Sequence, residues 1–307
     1  MKHKLYFPVF LLLLFASCTK ENLQVNKEVQ QSKDITNQQR QTAVQKEGIA
    51  SKAIPYMAEY ITDANSGKIG QTIYFKNVGN KHFGVSFVAA DPRRGGRLNI
   101  TYAVDNETTT DNGITLAQTE AAIENAMATW DAVKCSDVNI TKIPYPGNLG
   151  LYSYLIGFGG STDVVADIQH SGFLPPEFFD TFAPGGGSFI LGITIPFVFT
   201  DDAGNPTDID NNGELDYAFA EIYYNDGFVW RTNSGSGVDL QSIALHESGH
   251  GLGQAHFGKA FSTGANGKLH FAPQAVMNAG YFGGEQRTLK GTDNGGFCSI
   301  WANWPKN

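Results

Sequence analysis

Residues 246–256 read HESGHGLGQAH, and the fold predicted for the rest of the chain depends on this stretch. On an α-helix, positions i and i+4 lie one above the other, so His246 and His250 present their imidazoles to one point. Gly253 can adopt a conformation that ends the helix and brings His256 round as a third nitrogen ligand. Three neutral imidazoles leave a tetrahedral Zn²⁺ with one open position for water. The sequence therefore predicts a zinc site at His246, His250 and His256.

Glu247 follows the first of these histidines and is predicted to be the general base that takes a proton from the zinc-bound water. A chain of this composition would contain the pattern His-Glu-x-x-His by chance roughly 0.006 times. The alternatives are surface histidines on a polar helix and a purely structural zinc, which usually has four protein ligands, commonly cysteines. The pattern favours a catalytic zinc over both.

This zinc-helix pattern resembles the signature of the metzincin metallopeptidases, and within that clan it is most similar to the matrixins. Further stretches resemble matrixin segments in the same order along the chain: residues 220–230, 239–246, 275–278, 287–289 and 293–301. Met277 corresponds to the methionine of the Met-turn, which in the family forms an apolar floor under the zinc. The resemblance covers roughly residues 95–307.

The resemblance implies an α+β catalytic domain over residues 96–307 and the activity of a zinc-dependent endopeptidase. Its mixed, twisted sheet would pack on two long helices and be followed by an irregular C-terminal subdomain with the Met-turn and a final helix. Three features depart from the family. Phe257 stands where matrixins usually carry serine, and no cysteine between residues 19 and 134 could form a cysteine switch. Only His170 is available for the family's second, structural zinc, so that zinc is not predicted.

Local patterns predict the regular elements of this domain. Alternating apolar residues predict a strand at residues 97–104. Thr115 and Gln118 form the capping box of a helix, and apolar periodicity predicts a second helix over residues 238–252. Further strands are predicted at residues 138–143, 163–168, 189–199 and 219–225. Strands mixed with two long helices indicate the α+β class.

The start of the chain resembles the signal of a bacterial lipoprotein. Two lysines, a short apolar run and small residues precede Cys18. Residues 1–17 are therefore predicted to be a signal peptide that is removed, and Cys18 to be lipidated. An ordinary signal peptide with an incidental cysteine is the alternative. Lipidation would anchor the protein to the cell envelope outside the cytoplasm, at the outer membrane or the cell surface.

Between this signal and the catalytic domain the composition changes once. Residues 18–50 are polar and cannot bury enough apolar surface to offset the entropy of ordering, so we expect a flexible tether. Residues 51–95 regain aromatic side chains and are interpreted as a prosegment or as an N-terminal extension that adds strands.

Two cysteines remain after the signal, Cys135 and Cys298. An even pair in a chain exported to an oxidising compartment predicts one long-range disulfide. Two buried free thiols are the alternative.

An acidic turn supplies a second candidate metal site. Asp208, Asp210, Asn212 and Asp216 surround Gly213 and place oxygen side chains at alternating positions, which suits Ca²⁺. The stretch resembles the DxDxDG loops of calcium-binding modules. A solvated acidic turn is the alternative, because no distal bidentate glutamate completes an EF-hand.

Composition limits the partners. The formal net charge is −8 and the pI about 5.3, without a dense basic block, which argues against nucleic acid as a partner. We expect a monomer that binds protein or peptide substrates. The substrate would add a strand along an exposed sheet edge at residues 189–195, and residues 278–287 would wall the specificity pocket. A zinc hydrolase of another amide or cell-wall substrate, and a non-catalytic surface-binding lipoprotein, are the other interpretations.

Overall fold

The computed structural model describes residues 50, 52–74, 84–108, 113–262 and 269–306. The signal at residues 1–17, Cys18 and the tether up to residue 49 lie outside the described residues. Among the helices that are described, none has the length and apolar character needed to cross a membrane.

The main sheet is mixed and has ten strands. In chain order the strands of the molecule are β1 (Ala53–Pro55), β2 (Met57–Asp63), β3 (Thr72–Tyr74), β4 (Val85–Ser86), β5 (Ile100–Val104), β6 (Ile140–Lys142), β7 (Ile168–Leu174), β8 (Ile190–Phe199), β9 (Leu215–Asn225), β10 (Trp230–Arg231), β11 (Val238–Asp239), β12 (Lys259–Ser262), β13 (Leu269–Ala272) and β14 (Gly280–Tyr281). The order across the sheet is β14-β2-β8-β9-β7-β5-β6, with β1 on β8, β3 on β2 and β4 on β9. Strands β6, β5, β7 and β9 run parallel, whereas β8 is antiparallel to both β9 and β2.

Five α-helices accompany these strands in the described part of the chain: α1 (Leu116–Asp131), α2 (Leu151–Leu155), α3 (Pro176–Asp180), α4 (Leu240–Gly251) and α5 (Gly291–Trp301). Helix α1 begins at the capping box of Thr115 and Gln118, as predicted. Helix α4 is the predicted second helix, although residues 238–239 form β11 instead of its first turn. The prediction of a mixed sheet in an α+β fold is confirmed.

Apolar side chains cover both faces of the sheet. One face packs against α1, α4 and α5 through residues such as Trp130, Leu245 and Trp301. The other face carries an aromatic cluster around Phe178, Phe197 and Tyr223 from α3, β8 and β9. Every residue of β8 is buried, which explains its continuous apolar sequence.

Two predictions about strands are wrong. The strand predicted at residues 163–168 begins only at Ile168, because the preceding Asp167 side chain accepts hydrogen bonds from Thr101 and Arg94 instead of continuing the ladder. Residues 189–195 are not a sheet edge, because β2 pairs along the side of β8 that was expected to be open. The N-terminal residues thus add strands to the main sheet.

Two long-range side-chain connections join distant parts of the described chain. Cys135, after α1, forms a disulfide with Cys298 in α5, which is the predicted pair. Arg94 is buried and pairs with the buried Asp167 at 2.8 Å. Residues 84–95 therefore pack against the same body as the sheet that follows them.

Candidate metal centre

Helix α4 carries the first two histidines and is fixed at both ends. Asp239 is its N-cap and accepts hydrogen bonds from the Ser242 backbone and hydroxyl. Arg231 and Arg287 both pair with the Asp239 carboxylate. At the other end Gly253 has φ +91°, a left-handed conformation that favours glycine. The chain therefore turns sharply after α4, as the sequence predicts, and brings His256 back to the helix.

The three predicted histidines come together. The Nε2 atoms of His246 and His250 are 3.0 Å apart, and those of His246 and His256 are 3.2 Å apart. His246 and His250 are buried, and the His256 side chain is 13% exposed. Tetrahedral Zn–N bonds of about 2.0–2.1 Å place ligand nitrogens about 3.4 Å apart, so the spacing is close to that of a filled zinc site.

The other ring nitrogens fix which atoms are free to bind a metal. His246 Nδ1 lies 2.7 Å from the Val276 carbonyl oxygen, and His250 Nδ1 lies 2.7 Å from the Gln254 carbonyl oxygen. A carbonyl can only accept, so each Nδ1 carries the proton and each Nε2 keeps its lone pair. Burial lowers the pKa of His246 well below its ordinary value and lowers that of His250 to about 4. Both rings are therefore neutral, as metal ligands must be.

Glu247 follows His246 on α4, and its side chain contacts β8 through Thr194. The Thr194 hydroxyl donates to Glu247 Oε2 at 2.6 Å, while the buried Oε1 has no hydrogen-bond partner. Burial raises the pKa of Glu247 well above its ordinary value, and the nearby charge of Glu59 adds to the increase. Thr194 thus holds one carboxyl oxygen of Glu247, while the other keeps no hydrogen-bond partner.

Glu59 is a second buried carboxylate at the site, and sequence reasoning missed it. It lies on β2, with Oε2 at 2.9 Å from His256 Nδ1 and 3.6 Å from His250 Nε2. The Thr72 hydroxyl donates to its other oxygen at 2.5 Å. Burial works to raise the pKa of Glu59, but attraction to His256 and His250 lowers it to about 2. The available signal was a single charge in the apolar stretch Met57-Ala-Glu-Tyr-Ile61.

The predicted Met-turn packs directly beneath the helix. Met277 is buried against Gly249, where a Cβ atom would collide with the Met277 sulfur. Asp293 of α5 accepts hydrogen bonds from the backbone N–H groups of Val276 and Met277. Helix α5 therefore holds the turn whose Val276 carbonyl orients His246.

Two cavities adjoin the C-terminal subdomain. One of about 650 Å³ borders His256 and Met277. The other, of about 330 Å³, is lined by Asn278, Phe282 and Glu285 among others. These three residues belong to the segment predicted to wall the specificity pocket.

The acidic turn also brings its predicted residues together, but their oxygens already have hydrogen-bond or ion-pair partners. Carboxylate oxygens of Asp208, Asp210 and Asp216 lie within 4.8 Å of one another. Asp208 accepts from the backbone of Asn212 and Gly213, and Asn212 donates to Asp210 through its side chain. Asp216 is buried and pairs with Arg93 at 2.9 Å.

His170, the remaining histidine considered for a metal, lies on β7. It is buried, and its Nδ1 is 2.8 Å from the Tyr224 hydroxyl. Among the described His, Cys, Asp and Glu residues, the groups that could hold a metal are the three histidines and the three aspartates of the acidic turn.

The donor set of the histidine cluster fits Zn²⁺. Three imidazoles converge through Nε2, and the buried oxygens Glu59 Oε2 and Glu247 Oε1 have no hydrogen-bond partner in the described structure. A buried anionic oxygen without a donor, such as Glu59 Oε2, is costly unless a cation compensates it. Comparison with protein-family models found no match, and comparison with curated proteins found no significant similarity.

Proposed function

We propose that the protein is a zinc-dependent endopeptidase of the metzincin type, with the fold and Met-turn that the sequence resemblance implies. The observation that carries the proposal is the convergence of three Nε2 atoms beside a buried glutamate with one free oxygen. A surface-binding protein that only held zinc would need the histidines but not Glu247.

His246, His250 and His256 would hold the metal through Nε2. When bound there, Zn²⁺ supplies Lewis-acid polarisation of a carbonyl and lowers the pKa of a coordinated water. Glu247 would accept a proton from the attacking water and pass it to the leaving amine nitrogen. The Thr194 hydroxyl holds Oε2 in place.

The test is the substitution Glu247→Gln, which preserves shape but removes the base. Zinc content should stay near one per chain, and casein cleavage should fall by about 100- to 10,000-fold. The assay is run on the native chain and on Glu59→Ala, with and without Glu247→Gln, because the Glu59 carboxylate lies against the metal ligands and could hide activity.

Two outcomes contradict the proposal. Zinc-loaded native chain and Glu59→Ala could both leave casein and a broad peptide library intact, which would favour a zinc hydrolase of another amide or cell-wall substrate, or a non-catalytic lipoprotein. Alternatively, Glu247→Gln could cleave as fast as its parent, which would assign the activity to another site or to a contaminant.

A further inference from the structure

The larger of the two cavities lies beside the metal centre but outside the edge at which β2 pairs with β8. Its volume is about 650 Å³, and it borders His256 and Met277. Its other walls are β4, the acidic turn, the turn after α4 and helix α5. None of the residues that line it belongs to β2 or β8. A ligand in this cavity therefore does not compete with β2.

Two polar side chains on the wall of this cavity lack a hydrogen-bond partner. Gln254 follows α4 and is only 5% exposed, and its Nε2 has no partner among the described residues. Thr292, in the first turn of α5, has a buried hydroxyl oxygen that is also unpartnered in the described structure. Both residues line the cavity. A buried donor without an acceptor is costly, so a ligand that supplies an acceptor there makes a bond that the chain itself does not make.

The charges around the cavity disfavour an anion. Its lining includes the carboxylates of Glu214 and Asp293 and no lysine or arginine. The Asp293 carboxylate is already used, because it accepts hydrogen bonds from three backbone N–H groups. Glu214 is partly buried. An anionic ligand would lose part of its hydration and lie close to two negative charges, so the ligand that fits is not negatively charged.

The remaining walls and the unpartnered atoms define the chemistry of the ligand further. Four apolar side chains line the cavity: Val85, Phe257, Met277 and Ile300. The Gln254 Nε2 donor requires an acceptor without a negative charge, such as a carbonyl oxygen, while the Thr292 hydroxyl and the Glu214 carboxylate can accept from an N–H group. An amide offers both kinds of group in one uncharged unit. A cation would satisfy Glu214 but would leave Gln254 without an acceptor.

We propose that this cavity binds a neutral amide that carries an apolar group, which is the chemistry of a short uncharged peptide. Gln254 Nε2 donates to the carbonyl oxygen of the ligand, and the apolar group packs against the four apolar side chains. A volume of about 650 Å³ lies within the range of small-molecule binding sites. Binding here goes beyond the proposed peptidase activity and does not depend on it, because neither Glu247 nor β8 lines the cavity.

Gly296 of α5 leaves the space that the Gln254 side chain occupies. A Cβ atom at Gly296 would lie 2.5 Å from Gln254 Oε1, and the only other atom near it also belongs to the Gln254 side chain. An alanine there would therefore displace a flexible side chain and no backbone. Gly296→Ala is thus a way to move the Gln254 amide without removing it.

The test measures binding of N-acetyl-L-leucinamide to the full zinc-loaded chain by saturation-transfer NMR titration. N-acetyl-L-leucine has nearly the same shape but is an anion at pH 7, so it reports the charge preference. Gln254→Leu removes the amide donor, and Gly296→Ala displaces it. Gln286→Leu is the matched control, because Gln286 lines the smaller cavity. Thermal unfolding and zinc analysis are run on each variant, and Gly296→Ala decides alone if Gln254→Leu unfolds or loses zinc.

We expect the native chain to bind the amide at least about tenfold more tightly than the anion, because the anion meets two carboxylates. Gln254→Leu and Gly296→Ala should each weaken amide binding about three- to tenfold, the usual effect of losing one hydrogen bond. Gln286→Leu should match the native chain. Native affinity in both Gln254→Leu and Gly296→Ala would overturn the proposal, and so would a loss confined to Gln286→Leu. Absence of binding to the native chain at millimolar amide would also overturn it.

Casein cleavage separates this site from the proposed function. If the amide binds as expected but neither the native chain nor Glu59→Ala cleaves casein or the peptide library, the cavity site stands and the peptidase proposal fails. If casein is cleaved and Glu247→Gln abolishes cleavage, but the amide does not bind, the peptidase stands and the cavity site fails.

Discussion

The histidine cluster and the acidic turn are both groups of three potential metal ligands, yet the chain builds them in opposite ways. His246 and His250 are buried on a helix that is fixed at its N-cap and at its C-terminal turn. Asp208 and Asp210 lie at least partly exposed on a loop. The first group is positioned by the fold, and the second is largely positioned by its own backbone.

The difference lies in which atoms are already used. In the histidine cluster, the carbonyl oxygens of Val276 and Gln254 accept hydrogen bonds from Nδ1 of His246 and His250 and leave Nε2 free. In the acidic turn, N–H groups of residues 209, 212 and 213 donate to the same oxygens that a cation would need. A site prepared for a metal therefore needs unused ligand atoms as well as side chains that converge, and spacing in the sequence reveals only the convergence.

The largest effect should come from removing a buried histidine. His250→Ala leaves two imidazoles, which hold Zn²⁺ poorly, so metal analysis should show a fall from about one zinc per chain to nearly none. Casein cleavage should disappear with the metal. His270→Ala is the control, because His270 lies on β13 and is not part of the cluster. Equal zinc content in the two variants would mean that the cluster is not the metal site.

A smaller effect should distinguish Asp216 from Asp208 within the acidic turn. Asp216 is buried, pairs with Arg93 and accepts from Thr207 and from the backbone of Ile209. Asp216→Ala leaves these donors without their acceptor, so we expect a loss of about 2–4 kcal/mol in the free energy of unfolding. Asp208→Ala, at a less buried position, should lose less than about 1 kcal/mol.

Urea unfolding in calcium-free buffer measures both variants. Equal losses would show that Asp208 and Asp216 contribute equally to stability, so that the whole turn is structural. A larger loss for Asp208→Ala would reverse the assignment of the buried anchor from Asp216 to Asp208.

Several features of the molecule could be predicted from short sequence patterns. The capping box at Thr115 and the conformation of Gly253 follow from short-range chemistry, because the partners lie within a few residues of each other. The convergence of His246 and His250 follows from helix periodicity alone. The disulfide between Cys135 and Cys298 agrees with the cysteine count, since only these two cysteines follow the predicted signal.

The features that were missed depend on strand pairing over long distances. Nothing local indicates that β2 lies beside β8, so neither the filled edge nor the place of Glu59 could be predicted. Thr194 was missed for the same reason, because its hydroxyl acts on Glu247 across the sheet–helix interface. The two-residue alternation along a strand determines which side chains share a face, but it does not identify the neighbouring strand.

Calcium should reveal whether the turn can share its oxygens with a cation. A dissociation constant of about 0.1–1 mM, typical of extracellular calcium modules, would stabilise the fold by roughly 1–2 kcal/mol at about 5 mM Ca²⁺. That corresponds to a rise of about 2–6 °C in the melting temperature. The variant Asp208→Ala/Asp210→Ala should show no rise. An equal rise in that variant, or none in the native chain, would remove calcium from the turn.

The smallest effect is electrostatic and has a definite sign. Burial raises the pKa of Asp210 above its ordinary value, and the nearby carboxylates of Asp208 and Asp216 add to the increase. The folded state therefore binds this proton more tightly than the unfolded state, and stability falls as pH rises through the window from about 3.9 to the raised value. At pH 7 without calcium, Asp210→Asn should be more stable than the native chain, by less than about 0.5 kcal/mol because the side chain is exposed and solvent screens it. The difference should vanish near pH 3 and reverse in calcium, where the charged oxygen becomes a ligand. Urea unfolding at the two pH values, with and without calcium, measures all three differences. If Asp210→Asn is less stable than the native chain at pH 7 in calcium-free buffer, the folded turn favours the negative charge of Asp210, which contradicts this prediction.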